Sequence, residues 1–172
     1  MMITVRPLSM PDLDKLQRIG KRTFEQAFGA DNSVQQMNRY LRQRFSRTQL
    51  RRELHEPHST FYFAETAGEP IGYLKLNFAD AQTEPQDKSA VEIERIYVLN
   101  AWHGKGAGRA LLQTALDIAQ ARRAPYIWLG VWEHNHHALA FYRKNGFIPF
   151  GTHVFQLGND RQTDIMMKRN LA

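Results

Sequence analysis

The stretch from Val91 to about Arg123 constrains this chain more than any other. An apolar strand, VEIERIYVL (91–99), runs into a turn with three glycines in five residues, Gly104-Lys105-Gly106-Ala107-Gly108, and then into a long amphipathic helix. Glycine visits backbone conformations closed to other residues, so the N–H groups of such a turn can converge on one concavity. The helix that follows adds the positive end of its dipole. Together these features predict a cradle for a pyrophosphate-like anion. The spacing does not fit the competing nucleotide motifs: no Gly-Lys-Ser/Thr ends it, as a P-loop requires, and no G-x-G-x-x-G opens the first βα turn of the chain. The plain alternative is a tight turn in which glycine serves geometry alone.

The flanking segments set the fold class. Ile3 to Arg6 alternates as a short strand. Ser9-Met10-Pro11-Asp12 then reads as a capped helix start, followed by Leu13, Leu16 and Ile19 at helical spacing. Further helices are predicted after Asn32-Ser33 and from Ser46 or Thr48 to Pro57. TFYFAE (60–65) and PIGYLKLNF (70–78), joined through Ala67-Gly68-Glu69, predict an antiparallel hairpin, and the polar residues 80–90, with one Pro, predict a loop. YIWLGVW (126–132) is a strand, Asn135 starts a helix that Gly146 stops, and 147–155 with 163–168 close the pattern as a hairpin. The order β, helices, βββ, α, β, α, ββ predicts a mixed α/β fold that joins an antiparallel half to a βαβ half. With no repeat or linker, residues 1–172 read as one domain.

Composition excludes more than it assigns. The chain has no Cys, which removes disulfides, thiolate nucleophiles and Cys-based metal sites. No apolar run approaches the roughly 18 residues that span a bilayer, and Met1 to Asp14 carries charges and a Pro where a signal peptide would be apolar. A cytoplasmic protein without a membrane partner is expected. The net charge of +6 welcomes an anionic partner without naming it. Six Arg between Arg39 and Arg52, interleaved with Tyr40 and Phe45, would suit nucleic acid; without a reader motif they read better as a solvated helix face. His134, His136 and His137 cluster before the last helix, but neighbouring positions 136 and 137 cannot share a helix face, so a wet turn and no metal is expected. Trp128 and Trp132 fall on one strand face and read as core.

Ile96-Tyr97-Val98, then Trp102-His103-Gly104-Lys105-Gly106-Ala107-Gly108 with Leu111-Leu112, resembles the acetyl-CoA signature of the GNAT N-acetyltransferases. Asn135, Ala138, Phe141, Tyr142, Lys144, Gly146 and Phe147 resemble its second half. The family usually has Gln or Arg where this chain has His103, a departure that bears on one phosphate contact. The resemblance implies a central mixed sheet of about seven strands flanked by helices, in which the parallel strands VEIERIYVL and YIWLGVW splay apart to admit acetyl-CoA. It implies contacts to acetyl-CoA from Ile96, Tyr97 and Val98, from His103, Gly104, Lys105, Gly106, Ala107, Gly108 and Arg109, and from Asn135 and Lys144. It also implies transfer to an amine, with Tyr142 as general acid near the sulfur, and it allows a homodimer.

An alkyl ammonium is not a nucleophile, so a base must remove a proton directly or through water. Glu92 and Glu94 are the candidates. Strict alternation would put both on one face with Ile96 and Val98, and a β-bulge would break that parity. The alternatives are a solvated face or a salt bridge to Arg95 for the glutamates, and a core aromatic beside Phe141 and Phe147 for Tyr142. A backbone N–H at Val98 is a candidate oxyanion donor.

Thr23-Phe24, Ala27-Phe28-Gly29, Asn32-Ser33, the FYF and GYLKLN runs and the tail from Gly158 to Asp164 are similar to bacterial spermidine/spermine N-acetyltransferases of the Pai type. That resemblance implies a polyamine acceptor. Glu25, Asp31, Glu53, Glu56, Glu92 and Glu94 are available to meet ammonium groups, and Phe28, Tyr40, Phe61 and Tyr97 to wall the methylenes. Another amine (a protein N-terminus, lysine, an amino acid or an aminoglycoside), or a CoA-binding regulator without turnover, are the competing readings.

Overall fold

The computed structural model describes residues 2–84 and 86–171. The one Pro expected in the 80–90 loop, Pro85, lies outside them. The chain begins with β1 (Thr4–Pro7) and α1 (Leu13–Phe28), where the Ser9 N–H donates to Asp12 Oδ2 at 3.0 Å to hold the entry turn. Two helices follow, α2 (Val34–Arg44) and α3 (Arg47–His55). Each starts at a serine, Ser33 or Ser46, whose hydroxyl accepts the N–H three residues on, at 3.1 Å in both cases.

β2 (Ser59–Thr66) and β3 (Glu69–Phe78) form the expected hairpin and lead through the 79–90 loop to β4 (Val91–Val98). Then come α4 (Ala107–Ala121), β5 (Tyr126–Trp132), α5 (His136–Lys144), β6 (Ile148–Leu157) and β7 (Asp160–Asn170). The seven strands make one sheet in the order β1-β2-β3-β4-β5-β7-β6, antiparallel except between β4 and β5. No helix among the described residues is long and apolar enough to cross a membrane.

Two apolar layers sandwich the sheet. Leu111, Leu112, Ala115 and Leu116 of α4 and Leu139 and Tyr142 of α5 pack on one face, against Val91, Ile93, Ile127 and Leu129. Leu13, Leu16, Ile19, Phe24, Met37, Leu41 and Leu50 of α1 to α3 pack on the other, against Phe61, Phe63 and Tyr73. Those three helices cover the β1–β4 half. They also reach Trp132 of β5 and Phe155 and Leu157 of β6, while over the Tyr126–Trp128 end of β5 the same face is covered from the side by the loop between β3 and β4, where Trp128 Nε1 donates to Gln82 at 2.7 Å and the Tyr126 hydroxyl to Gln86 at 2.6 Å. Trp128 is fully buried, as a core reading requires. Trp132, on the same strand face, is only half-buried and packs beside Phe28 with ring centroids 6.0 Å apart.

Candidate active site

β4 and β5 pair only over Val91–Ile127, Glu92–Trp128 and Ile93–Leu129. Beyond that they part, and the fork opens where the resemblance expects it. The cause lies in β4, whose register against β3 slips between Arg95 and Ile93, leaving Glu94 as an extra residue. The bulge also corrects the alternation argument. Val91, Ile93, Ile96 and Val98 share the α4 face, while Tyr97 and Arg95 lie on the α1–α3 side, where Tyr97 joins that core and Arg95 sits over Phe45. Glu92 and Glu94 are therefore not on one face with Ile96 and Val98.

The bulge also decides which backbone groups look into the fork. Leu99 N–H donates to Ile71 O at 2.9 Å across β3, so by alternation the main-chain groups of Tyr97 turn toward β3 as well. Those of Ile96 and Val98 point the other way, into the space that β5 has vacated. Tyr97 thus offers its side chain to the core rather than its backbone to the fork, a correction to its expected place beside Ile96 and Val98.

At the mouth of the fork, Gly104 and Gly106 have φ of +73° and +97°, a region that side chains disfavour, and a Cβ on either would meet nothing within 4 Å. The space before them is open. The first N–H groups of α4, from Ala107, Gly108 and Arg109, have no intrahelical acceptors because a helix leaves its first turn unpaired. Gly108 brings that turn close: a Cβ there would lie 3.8 Å from Phe141 and 4.0 Å from Val98. Lys105 and Arg109 stand exposed beside the turn, and Lys144 is exposed in the last turn of α5. An unpaired strand edge leading to unpaired N–H groups between cationic side chains fits an amide-bearing arm that ends in a pyrophosphate.

Two expected contacts are differently employed. His103 Nε2 lies 2.8 Å from Val98 O, and its ring stacks on that of His137 at 6.1 Å, tying the turn to α5. Asn135 caps α5, its Oδ1 accepting from Ala138 N–H at 3.1 Å. His134, His136 and His137 are all exposed.

Tyr142 is 7% exposed and lies between Phe141 and Phe147, at 5.4 and 5.7 Å; burial pushes its phenol well above the usual range. Glu92 is 3% exposed. Its carboxylate accepts from Thr83 N–H at 2.8 Å, from the Thr83 hydroxyl and from Asn77 Nδ2 at 3.0 Å. Burial raises its pKa, and those hydrogen bonds oppose the rise without cancelling it.

Glu94 differs. Lys75 Nζ lies 3.0 Å from it and 2.8 Å from Glu53, and the Arg95 guanidinium 3.1 Å and 2.9 Å from the same two carboxylates. Burial opposes the Glu94 charge, but Arg95 and Lys75 overcome it and hold the carboxyl down to about 2. Glu53 is lowered for the same reasons. The salt bridge between Glu94 and Arg95 is thus present, and two of the carboxylates expected to meet ammonium groups are neutralised by two buried cations. Phe61 is 3% exposed within the core and walls no cleft. Phe28 is likewise buried in the core, and it packs with Trp132, Phe155 and, through Phe155, Tyr40 as an aromatic cluster with neighbouring centroids 6.0 to 6.1 Å apart.

A glycine turn between strand and helix and a fork between two parallel strands, in a mixed α/β fold, are the frame of an acyl-CoA-dependent transferase. The chain belongs to the GNAT acetyltransferases: residues 22–147 match the Acetyltransferase (GNAT) family. It is 40% identical, over 99% of its length and 98% of the relative's, to an uncharacterized N-acetyltransferase from Lactobacillus delbrueckii subsp. lactis. A spermidine N(1)-acetyltransferase from Thermoplasma acidophilum is 24% identical over 86% of this chain and 89% of the relative. The fold is that of the PaiA N-acetyltransferase from the same organism, solved in complex with coenzyme A, with a TM-score of 0.83, 23% identity and coverage of 99% of this chain and 100% of the other. The protein is an acetyl-CoA-dependent N-acetyltransferase.

Proposed function

We propose that the chain acetylates the primary amine of an aliphatic polyamine by direct transfer, with acetyl-CoA in the β4–β5 fork. The observation that carries the transfer is the inner edge of β4, where Ile96 and Val98 turn their main-chain groups away from β3 and only the Val98 carbonyl is met, by His103, leading to the glycine turn at 104–108. Ile96, Val98, Gly104, Gly106, Ala107, Gly108 and Arg109 hold the arm and the pyrophosphate, with Lys105 and Lys144 as flanking cations. Acetyl-CoA supplies an activated acyl group on a thiol leaving group. The Val98 N–H meets the developing oxyanion, and Tyr142 gives a proton to the departing sulfur.

Of the two glutamates, Glu92 is assigned the base. Its raised pKa favours proton uptake, whereas Glu94 is committed to Lys75 and Arg95. Because Thr83 and Asn77 occupy the Glu92 oxygens, it works through intervening groups rather than on the amine itself.

The polyamine reading is supported by the spermidine-acetylating relative. One observation favours a second reading. A cavity of about 230 Å³ between α2 and the β6–β7 turn is lined by Arg39, Tyr40, Gln43, Arg44, Gln156, Gly158 and Asn159, with no carboxylate. That lining suits an amine that also carries an anionic group, such as an amino acid.

The test is CoA release from acetyl-CoA with spermidine, spermine, putrescine, lysine, a peptide and an aminoglycoside. Saturable release with the polyamines supports the first reading; release with lysine or a peptide alone supports the second. CoA binding without release across the panel refutes both.

A further inference from the structure

The carboxylates around the start of α1 are already paired. Arg6 takes Asp12 and Glu65, at 2.9 and 2.7 Å, and Arg47 takes Asp14. α1 also carries Lys15, Arg18 and Arg22, none of which forms a salt bridge among the described residues. Spacings of three and four residues put these cations on one stripe of the helix. All three line a cavity of about 280 Å³ between α1, the start of β3 and Leu99, the residue that follows β4.

We propose that this cavity is a second anion site, separate from the glycine turn, and that its ligand is an oligophosphate: a row of two or three linked phosphates, free or carried on a nucleoside. The site goes beyond the acetyl transfer proposed above and does not depend on it.

The length of the row selects the ligand. From Lys15 to Arg22 the helix rises about 10 Å, so a single phosphate meets one end of the stripe and linked phosphates run along it. Arg18 and Arg22 are exposed and Lys15 is half-buried, which leaves the charged heads within reach of a ligand. Guanidinium groups bind phosphate oxygens in pairs, and the Lys15 ammonium adds a compact charge. Glu69, at the start of β3, is the one carboxylate in the lining, and three cations outnumber it. Ile19, Pro70 and Leu99 make the remaining wall apolar, a surface on which the organic part of a phosphate ester can rest.

The cavity shares no residue with the glycine turn. Leu99 N–H is bound to Ile71 O at 2.9 Å, and the next N–H, of Asn100, donates to Gln26 of α1 at 2.8 Å. α1 is thus fastened to the segment that carries the chain from Val98 to Gly104. The cavity lies beside that fastening on the α1–α3 side of the sheet, whereas the glycine turn opens into α4 on the other side. An oligophosphate in the cavity and coenzyme A in the fork can therefore be held at once.

The probe is inorganic triphosphate, titrated by calorimetry into protein saturated with coenzyme A, so that the glycine turn is already filled. We expect saturable one-to-one binding that weakens as salt is raised. Arg18→Ala with Arg22→Ala should weaken it roughly tenfold or more, while Arg51→Ala with Arg52→Ala, which removes as many exposed cations from α3 outside the cavity, should change it by no more than about twofold. Glu69→Gln removes the opposing carboxylate and should tighten binding, which decides the matter if the Arg18 and Arg22 variant does not fold. ATP in place of triphosphate separates the sources: tighter binding assigns the cavity to a nucleotide, and equal binding assigns it to the inorganic chain. No triphosphate binding to the coenzyme A-saturated protein, or equal losses in the two double variants, overturns the proposal and leaves the acetyl transfer standing. Failure of coenzyme A itself to bind overturns the transfer reading instead.

Discussion

Gly106→Ala isolates what the glycine turn contributes. At φ +97° with open space around the new methyl, the substitution meets no atom, so its whole effect comes from the backbone. Holding a non-glycine residue in a sparsely populated conformation costs about 1–3 kcal/mol. If the turn keeps its shape, that energy is lost from folding stability. If it relaxes, the N–H groups of 106–109 rotate away from the bound anion and the loss falls on affinity for CoA, by about 5- to 150-fold at 1.4 kcal/mol per tenfold. The two losses should therefore sum to about 1–3 kcal/mol whichever way they divide. Calorimetric titration with CoA measures one and denaturant unfolding the other. Gly29→Ala serves as control, because Gly29 has φ −61° and nothing within 4 Å of its Cβ position, and it should lose neither. A Gly106→Ala protein with wild-type affinity and wild-type stability would refute the cradle argument.

Tyr142→Phe should lower kcat by roughly 10²- to 10⁴-fold with little change in either KM, measured by steady-state kinetics; unchanged kcat would leave Tyr142 as a core aromatic only. Lys75→Met leaves Glu53 and Glu94 with one cation between them and should destabilise the fold by about 3–5 kcal/mol in urea unfolding, and a loss under about 1 kcal/mol would mean that the network relaxes or hydrates. Glu53 and Glu94 have depressed carboxyl pKa values in the fold, so their stabilisation is complete above the ordinary carboxylate range and is lost as pH falls through about 4.5 toward 2. Thermal unfolding should show that decline in wild type and a shallower one in Glu94→Gln, and parallel curves would contradict the assignment.

The elements legible in the sequence are those decided within a few residues. The glycine turn at 104–108, the serine caps at Ser33 and Ser46, the Asn135 cap and the stop at Gly146 each follow from backbone chemistry that local neighbours complete. Strand β5 runs Tyr126–Trp132, as its apolar run predicts, and the βαβ arrangement across the glycine turn follows from element order.

Pairing across the sheet is different in kind. One extra residue at Glu94 reverses the faces assigned to Glu92 and Glu94, and nothing in VEIERIYVL marks it, because a bulge is defined by the partner strand. Lys75 and Glu53 lie 22 residues apart, and their salt bridge requires α3 to lie on β3. His153 meets Asp164 only through the β6–β7 register and meets Gly130 only because β7 is seated between β6 and β5. Local hydrogen bonding thus determined which segments fold and where the glycine turn leaves unpaired N–H groups. The relative register of strands distant in sequence decided which carboxylates stay charged and paired, because side-chain direction in a sheet reverses with every residue of slip.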